Sequence, residues 1–242
     1  MHTKNRIRES RGDQVFKIIN TTIVTILLLI VLYPLINVLS CSFSDPLEVG
    51  AGHVILLPKG LNILGYKRVF QDPSIMTGYA NSLFYTVVGT VINLLVTVPA
   101  GYALSRSDLP GRSAIMGYFM FTMYFSGGMI PYYLIIKQLG LRDTREVMYL
   151  PAYMSMFNML VMRSYFMGLP QDLESAAIID GAGNFRIFLS IVLPLSKAIL
   201  ATISLFIAVG LWNNWYTSML FITTKSKRPL AYALQVIIEI SK

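Results

Sequence analysis

The amino-acid sequence predicts an all-α polytopic membrane protein with five spans. The chain is 55% hydrophobic and only 13% charged, whereas a soluble globular domain carries about 25% charged residues. Several apolar runs also reach the roughly 20 residues that a helix needs to cross a bilayer, and short polar turns separate them. A surface that largely faces lipid explains both observations.

The N-terminal part contains an arm, a span and a long polar segment. Residues 1–14 are polar and basic, which predicts a cytosolic arm. Residues 15–41 are nearly uncharged after Lys17 and form the first predicted transmembrane helix. This run is too long for a signal peptide, and no small-residue cleavage site follows it. Residues 42–77 are rich in proline, glycine and charged residues, and they are predicted to be extracellular.

The rest of the chain, residues 78–242, is predicted to hold four more spans and their connections. The predicted spans are residues 78–104, 113–136, 146–166 and 195–216. An interrupted stretch, 170–194, precedes the last span, and a mixed, weakly apolar tail follows it at 217–242.

The first helix decides the predicted orientation. Basic residues are similarly frequent on both sides of the predicted membrane, so loop charge alone gives no answer. The first helix usually dominates, and its basic arm places the N-terminus in the cytosol. Residues 167–190 then also lie in the cytosol.

Several function classes lack the residues that they need. The sequence has no GxxxxGK[ST] phosphate loop. His2 and His53 are far apart and Cys41 is the single cysteine, so no metal site, catalytic nucleophile or internal disulfide is expected. Cys41 is predicted to be a small buried residue. Basic residues are scattered, which argues against nucleic-acid binding. The chain is therefore predicted not to be an enzyme and to hold no cofactor.

The stretch ESAAIIDGAGNFRIFLSIVLP, residues 174–194, predicts two short helices joined at a glycine. Pro170 suits the first position of the first helix. Asp172 and Glu174 place negative charge in its first turn, where the helix dipole favours it. Gly181 stands where a left-handed residue can end that helix. The second helix then leads to a proline at the start of the fifth span.

One face of the first helix consists mostly of small residues. Its members are Leu173, Ala176, Ala177 and Asp180, spaced at i, i+3, i+4 and i+7. Small side chains allow another backbone to approach closely. From the residues alone two interpretations remain open: the loop packs against its own bundle, or it docks on a partner protein.

The same stretch resembles the signature loop of ABC-importer permeases, which reads EAA, three residues, G, nine residues, I, one residue, LP. The alanine pair, the glycine and the final Ile-x-Leu-Pro fall at the matching distances. Residues 81–106, 121–141 and 193–216 also resemble the carbohydrate branch of that family, in particular permeases for oligosaccharides and complex polysaccharides of Gram-positive bacteria. The resemblance covers essentially the whole chain from about Phe16.

This resemblance implies the transmembrane domain of a type I ABC importer in a bacterial plasma membrane. In the family the signature loop is the coupling helix, which inserts into a cleft on the ATP-binding subunit, a known mode of recognition. The role is carried over to Glu174, Ser175, Ala176, Ala177, Asp180, Gly181, Ile191, Leu193 and Pro194. The implied partners are a second homologous permease subunit, two ATPase subunits that hold ATP and Mg, and an extracellular lipid-anchored sugar-binding protein.

Two positions depart from the family pattern. The first motif position is usually Glu, but here it is Ser175, and Glu174 lies one residue earlier. On a helix this shift rotates the acid by about 100°, which puts any ion pair made by the family's glutamate in doubt. Ala198 stands where a proline is common.

The segment SGGMIP, residues 126–131, interrupts the third predicted span. Gly127, Gly128 and Pro131 allow two interpretations. They permit tight helix packing through small residues, or they form a bend that lines the transport pathway, where free backbone groups are tolerated.

The segment WNNWY, residues 212–216, ends the fifth predicted span on its outer side. It is typical of an aromatic belt at the membrane interface. Alternatively, Trp212, Asn213, Asn214 and Trp215 contact sugar, because aromatic faces and amides suit carbohydrate rings and hydroxyls.

A secondary, ion-coupled carrier is the alternative function, and a polytopic membrane enzyme is a further one. Ion-coupled carriers usually have ionisable residues inside their spans. Here only Arg163 and Lys197 approach a predicted span, near its cytosolic end. No catalytic cluster lies at a span end, so the permease interpretation is favoured.

The tail predicts a helix that does not cross. Its best apolar stretch, 229–240, has about 12 residues and is interrupted by Glu239, whereas a crossing helix needs about 20. Permeases of this family normally have six spans. We therefore expect an outer amphipathic helix here, a missing sixth span beyond Lys242, and an extracellular location for a reporter fused after that residue.

Overall fold

A computed structural model describes residues 10–151 and 154–240. Most of the predicted arm, residues 1–9, and the last two residues of the tail lie outside the described residues. The chain divides into two units, Met1–Asp72 and Pro73–Lys242.

The first unit is built around one long helix, α1 (Arg11–Ser42). A capping box fixes its start: Ser10 Oγ accepts a hydrogen bond from Asp13 N, and Asp13 Oδ2 accepts one from Ser10 N, both at 3.2 Å. The predicted first span, 15–41, lies within this helix. Most of its side chains are exposed apolar groups, as expected of a helix whose surface contacts lipid.

The segment after α1 folds back onto the end of that helix. Asn37 Nδ2 donates to the carbonyls of Val54 and Ile55 at 3.0 and 2.9 Å. Ser40 Oγ donates to Leu56 O at 2.6 Å. These bonds satisfy backbone carbonyls that no secondary structure pairs.

Two short helices, α2 (Pro46–Gly50) and α3 (Leu64–Gln71), complete the first unit. The prediction that Cys41 is buried is wrong, because this residue is only half-buried. The last turns of α1 are exposed apart from Ser40 and a few half-buried positions, so no core forms there to enclose the thiol.

The second unit contains helices and loops, with no strand among the described residues. Its α-helices are α4 (Pro73–Ser105), α5 (Arg112–Tyr124), α6 (Met129–Gln138), α7 (Met156–Met167), α8 (Gln171–Ile179), α9 (Asn184–Ile187), α10 (Leu193–Leu195), α11 (Lys197–Trp212), α12 (Tyr216–Phe221) and α13 (Leu230–Ile240). Short 3-10 turns occur at Glu146–Met148 and Lys225–Lys227, and a π-helical turn occupies Phe188–Val192.

Helix α4 is the one against which α7, α11 and α13 pack. It carries no charged residue, and its neighbours approach it at glycines. A Cβ added at Gly78 would lie 3.2 Å from the backbone of α13, and one at Gly89 would lie 2.6 Å from a side chain of α11. A Cβ at Gly101 would lie 2.9 Å from the Cβ of Met162 in α7. These three glycines therefore allow the close contacts that hold the bundle together.

Two apolar clusters lie at different levels of α4. The first consists of Val98, Tyr102, Met162, Phe166, Ala177, Ile187, Phe188, Val192, Ile203 and Ile207. The second consists of Tyr85, Ile136, Val147, Met148, Phe221 and Ile222. The first cluster matters most for function, because it joins α4, α7 and α11 to the interrupted stretch 170–194.

Polar contacts anchor the connection between α12 and α13. Asp143 Oδ1 accepts hydrogen bonds from the backbone N–H groups of Thr223 and Thr224 at 3.0 and 2.9 Å, and its Oδ2 accepts from Thr224 Oγ1 at 2.6 Å. These bonds, led by that of the Thr224 hydroxyl, hold the pKa of Asp143 well below its usual value. Asn81 and Tyr85 of α4 donate to carbonyls of the same connection. The tail is thus fixed to the bundle.

The bounds of the third and fifth predicted spans differ from the observed helices. The third consists of α5 and α6, which meet at 113°. The fifth continues a helical segment that begins earlier, because Asn184–Leu195 and α11 meet at 81°. By length and composition, α1 and α4 can each cross a membrane, and each bent pair can count as one more span.

The prediction of one continuous helix over residues 146–166 is wrong. That region holds a 3-10 turn and the 12-residue α7. Pro151 lacks the backbone N–H that a continuous helix would need. Ser155 then starts a new helix as its N-cap, accepting a hydrogen bond from Asn158 N at 3.4 Å.

We expect Gly101→Leu to lower the free energy of unfolding, by roughly 1–3 kcal/mol, because the added side chain has no room against α7. The matched control is Gly117→Leu in α5, where an added Cβ meets no atom within 4 Å. Thermal unfolding of the detergent-solubilised proteins measures both. Equal unfolding midpoints would contradict the assignment of Gly101 as a contact point.

Candidate functional site

Helix α8 forms the first half of the interrupted stretch and begins one residue later than predicted. Pro170 occupies the position before the helix, at the N-cap. Asp172 and Glu174 lie in the first turn, as predicted. Their charge is favourable there because the first N–H groups of a helix carry a partial positive charge.

Gly181 ends α8 in the left-handed conformation that the sequence predicts, with φ +79°. Gly181 N donates to Ile178 O at 3.0 Å, and Ala182 N donates to Ala177 O at 2.9 Å. This pair of bonds is the Schellman motif. An added Cβ at Gly181 would meet no atom within 4 Å, so the backbone conformation, and not a lack of space, restricts this position to glycine.

The small-residue face of α8 is divided between the bundle and the exterior. Ala177 is 9% exposed and packs in the cluster with Tyr102 and Ile203. Leu173, Ala176 and Asp180 are exposed. The expectation of one free face is therefore wrong for Ala177, because its small methyl group lets α8 lie directly on the bundle.

The exposed side of α8 carries large apolar groups that sequence reasoning did not single out. Ile179 is 85% exposed and Phe185, just beyond the glycine turn, is 73% exposed. Ser175 of the motif is also exposed. Solvent-facing side chains of this size on one short segment are typical of an interaction surface.

Arg106, at the end of α4, binds Glu174 and was not predicted from the sequence. Its Nη1 forms an ion pair with Glu174 Oε2, and the two side chains are 24% and 18% exposed. Arg106 Nε also lies 3.4 Å from Asp108 Oδ1, and the guanidinium carbon lies 5.9 Å from the centroid of the Tyr102 ring. The acid that departs from the family position therefore binds within its own chain.

The second half of the stretch changes helix type before it joins α11. Helix α9 runs into the π-turn and then α10. Pro194 cannot donate a backbone hydrogen bond, which favours such a local change in winding. Ser196, fully buried, closes the bend with its Oγ donating to Val192 O at 2.6 Å. Of the other motif residues, Ile191 and Leu193 pack partly against the first cluster.

The break at residues 126–131 is present and separates α5 from α6. Gly128 has φ +83°, so a residue with a side chain would be strained there. A Cβ at Gly127 would contact only Pro131, at 3.6 Å, and one at Gly128 would contact nothing. Close packing against another helix of this chain therefore does not account for these glycines, whereas the bend does.

The segment 212–216 contributes one residue to a polar cavity of about 420 Å³. Asn214 lines it, together with Asn93, Ser155, Phe157, Asn158, Phe206, Ile207, Gly210 and Leu211. Trp212, Asn213 and Trp215 do not line it. Trp212 instead contacts the Tyr79 ring edge-on at 5.7 Å, and Asn213 Nδ2 donates to Val209 O at 2.9 Å.

The cavity gathers amides from three parts of the bundle. Asn93 of α4 and Asn158 of α7 are 4% and 7% exposed, and Asn214 follows α11. Asn93 and Asn158 lie in helices of apolar composition and were not predicted as site residues. Their meeting depends on how α4 and α7 pack, which no local pattern shows. Over residues 10–151 and 154–240, no group of three or more His, Cys, Asp or Glu residues could hold a metal ion.

Comparison with known proteins places residues 73–241 in a family described as the binding-protein-dependent transport system inner membrane component. The chain belongs to this family. The match covers the whole bundle around α4, including the interrupted stretch. The type I ABC importer fold expected from the signature loop is thereby confirmed, and the chain is a membrane permease component rather than a catalyst.

Relatives extend the likeness to the first unit. Protein LplC of Bacillus subtilis (strain 168) is 35% identical over 229 residues, which cover 95% of this chain and 78% of that protein. The polygalacturonan/rhamnogalacturonan transport system permease protein YtcP of the same strain is 39% identical over 213 residues, covering 88% and 74%. A solved bacterial ABC transporter involved in the import of the acidic polysaccharide alginate has a TM-score of 0.90 at 37% identity, covering 97% and 84%.

We expect Arg106→Glu and Glu174→Arg each to lower the thermal unfolding midpoint, because each leaves two like charges facing one another at a partly buried site. The double variant restores opposite charges and should recover most of the loss. A double-mutant cycle on the purified chain measures the coupling. Additive losses in the double variant would show that the ion pair does not position α8.

Proposed function

We propose that this chain is a permease subunit of an ATP-driven oligosaccharide importer, that it forms half of the translocation pathway, and that residues 170–194 couple it to a separate ATPase. The observation that carries the proposal is the two-sided α8 within a chain of the binding-protein-dependent family. One side of α8 packs on the bundle through Ala177, and the other exposes Ile179 and Phe185.

The exposed side suits insertion into a cleft on a partner. Burial of apolar area yields about 25 cal/mol per Å², so large side chains such as Ile179 and Phe185 can contribute most of a docking energy. A short helix whose anchors enter a groove is a common recognition mode. The ATPase partner, with ATP and Mg on it, supplies the energy that this chain does not.

The buried side suits transmission of movement into the bundle. Ala177 contacts a cluster that contains residues of α4, α7 and α11, and the Arg106–Glu174 pair adds a second tie to the end of α4. Close-packed interiors transmit displacement because they compress little. A push on α8 would therefore move helices that line the polar cavity.

The cavity beside Asn93 and Asn158 is the proposed pathway segment in this chain. Amide groups donate and accept hydrogen bonds to sugar hydroxyls, and the exposed ring of Phe157 offers a flat apolar face. The bend at Gly127, Gly128 and Pro131 is a proposed flexing point of the same pathway. The named relatives carry polysaccharides or their fragments, which supports an oligosaccharide as the cargo.

The complete importer would contain a second homologous permease, two ATPase subunits and an extracellular lipid-anchored sugar-binding protein. The N-terminus would lie in the cytosol, so that α8 faces the ATPases and the connection between α12 and α13 faces outward. Coexpression of this chain with such partners is the setting for the two tests below.

We expect Ile179→Asp to reduce copurification with the ATPase and to abolish binding-protein-stimulated ATP hydrolysis, since it places a charge on the docking side. Ala177→Asp should instead lower the thermal stability of the chain itself, because that position is buried. Leu61→Asp is the control for an exposed leucine in the predicted extracellular segment. Normal coupling by Ile179→Asp would contradict the assignment of α8.

A matched glycine pair tests the turn. Gly181→Ala forces a side chain into the left-handed region, at a cost of roughly 1–2 kcal/mol, and should impair the same coupling. Gly183→Ala has an ordinary φ of −74° and no atom within 4 Å of the added Cβ. Equal coupling by the two variants would show that the angle at Gly181 is unimportant.

We expect Phe157→Ala to slow oligosaccharide uptake by roughly tenfold at most, the value of an aromatic contact, while assembly and unliganded ATP hydrolysis stay unchanged. Phe121→Ala is the control, because Phe121 in α5 is 57% exposed, close to the 56% of Phe157, and lies outside the cavity. Uptake assays in proteoliposomes measure both. Equal uptake by the two variants would exclude Phe157 from the pathway.

A further inference from the structure

A second cavity, of about 250 Å³, lies between the end of α4, the start of α5, the end of α7 and α8. Its polar wall includes Ser105, Arg106, Ser107, Arg112 and Ser175. A water molecule occupies about 30 Å³, so the cavity is large enough for a tetrahedral anion together with several waters. It is separate from the polar cavity proposed as the pathway.

The two guanidinium groups at this cavity differ in their partners. Arg106 is paired with Glu174 and approaches Asp108. The Nη2 of Arg112 lies 3.8 Å from the sulfur of Met167, and no carboxylate of the described residues lies within 4 Å of this guanidinium. Arg163 is close enough for its like charge to repel that of Arg112. The cavity therefore contains excess positive charge with no anion to balance it.

The groups around Arg112 suit a phosphate. Guanidinium forks match phosphate oxygens in geometry, and such charge-assisted hydrogen bonds are stronger than neutral ones. Ser107 and Ser175 add hydroxyl donors at the same wall. Met167 and the exposed Ile178 supply an apolar rim, which a free inorganic ion does not need but a lipid headgroup with its attached chains does.

We propose that this cavity binds the phosphate group of an anionic compound, with Arg112 as its main ligand. Basic pockets between helices at the cytosolic side of a membrane are known to hold anionic lipid headgroups, and the rim of this cavity fits that source. A bound phosphate would bridge α5 to Ser175 on α8. Any effect on coupling rests on the proposed function of α8, whereas binding does not.

The test is a titration of the purified full chain in detergent with phosphatidylglycerol, with bound lipid counted by native mass spectrometry. Arg112→Gln should weaken binding by about tenfold, which is about 1.4 kcal/mol. Arg186→Gln in α9 is the control, because Arg186 is an exposed arginine outside the cavity. Ser107→Asp is a second variant, since it places a carboxylate beside Arg112 and should also exclude the lipid.

The source of the phosphate is decided by a second titration. Inorganic phosphate at millimolar concentration should leave the unfolding midpoint of the wild-type chain unchanged if a lipid is the ligand. If inorganic phosphate raises that midpoint and Arg112→Gln removes the effect, the ligand is a soluble phosphate compound. The proposal is overturned if both phosphatidylglycerol and inorganic phosphate act equally on wild type and Arg112→Gln, or if Arg186→Gln loses as much binding as Arg112→Gln. Neither readout involves transport, so the proposed function can fail independently.

Discussion

The close contact of α7 with α4 at Gly101 is the constraint on which the rest of the second unit depends. Without a Cβ at this position, the backbone of α7 approaches α4 closely enough to bury Met159 and Met162 completely. The contact also sets where α4 ends, because Arg163 Nε donates to Leu104 O at 3.0 Å. Arg106 follows at once, and its position fixes that of Glu174 on α8.

The bends in the spans have a common physical origin. A straight helix of 20 or more residues satisfies its own backbone but cannot expose polar groups to a cavity. The breaks beside Gly128 and Ser196 interrupt two spans where the released backbone groups find other partners. Pro151 and the Ser155 cap start α7 late, which brings Asn158 to the level of Asn93. A polar cavity thus forms inside an otherwise apolar bundle.

The sequence predicts those features that depend on neighbouring residues. Gly181, the acidic first turn of α8 and the break at 126–131 each follow from local backbone preferences, and each is present. The prediction that residues 146–166 form one helix is wrong because apolar composition alone does not show that Pro151 and Ser155 end one helical turn and start another. The Asn93–Asn158 cavity and the Arg106–Glu174 pair could not be predicted, since they join residues that lie far apart in the chain.

The position of Glu174 explains how the loop can depart from the family pattern and still serve as a coupling element. An acid at position 175 would stand on the exposed side of α8, because Ser175 is exposed. One residue earlier, about 100° around the helix, the acid faces Arg106 instead. The ion pair therefore stabilises α8 on its own bundle, and the docking side is left mainly with apolar groups such as Ile179 and Phe185. Because salt screens charge pairs but hardly affects apolar burial, an ATPase that binds this surface would hold it with little dependence on ionic strength.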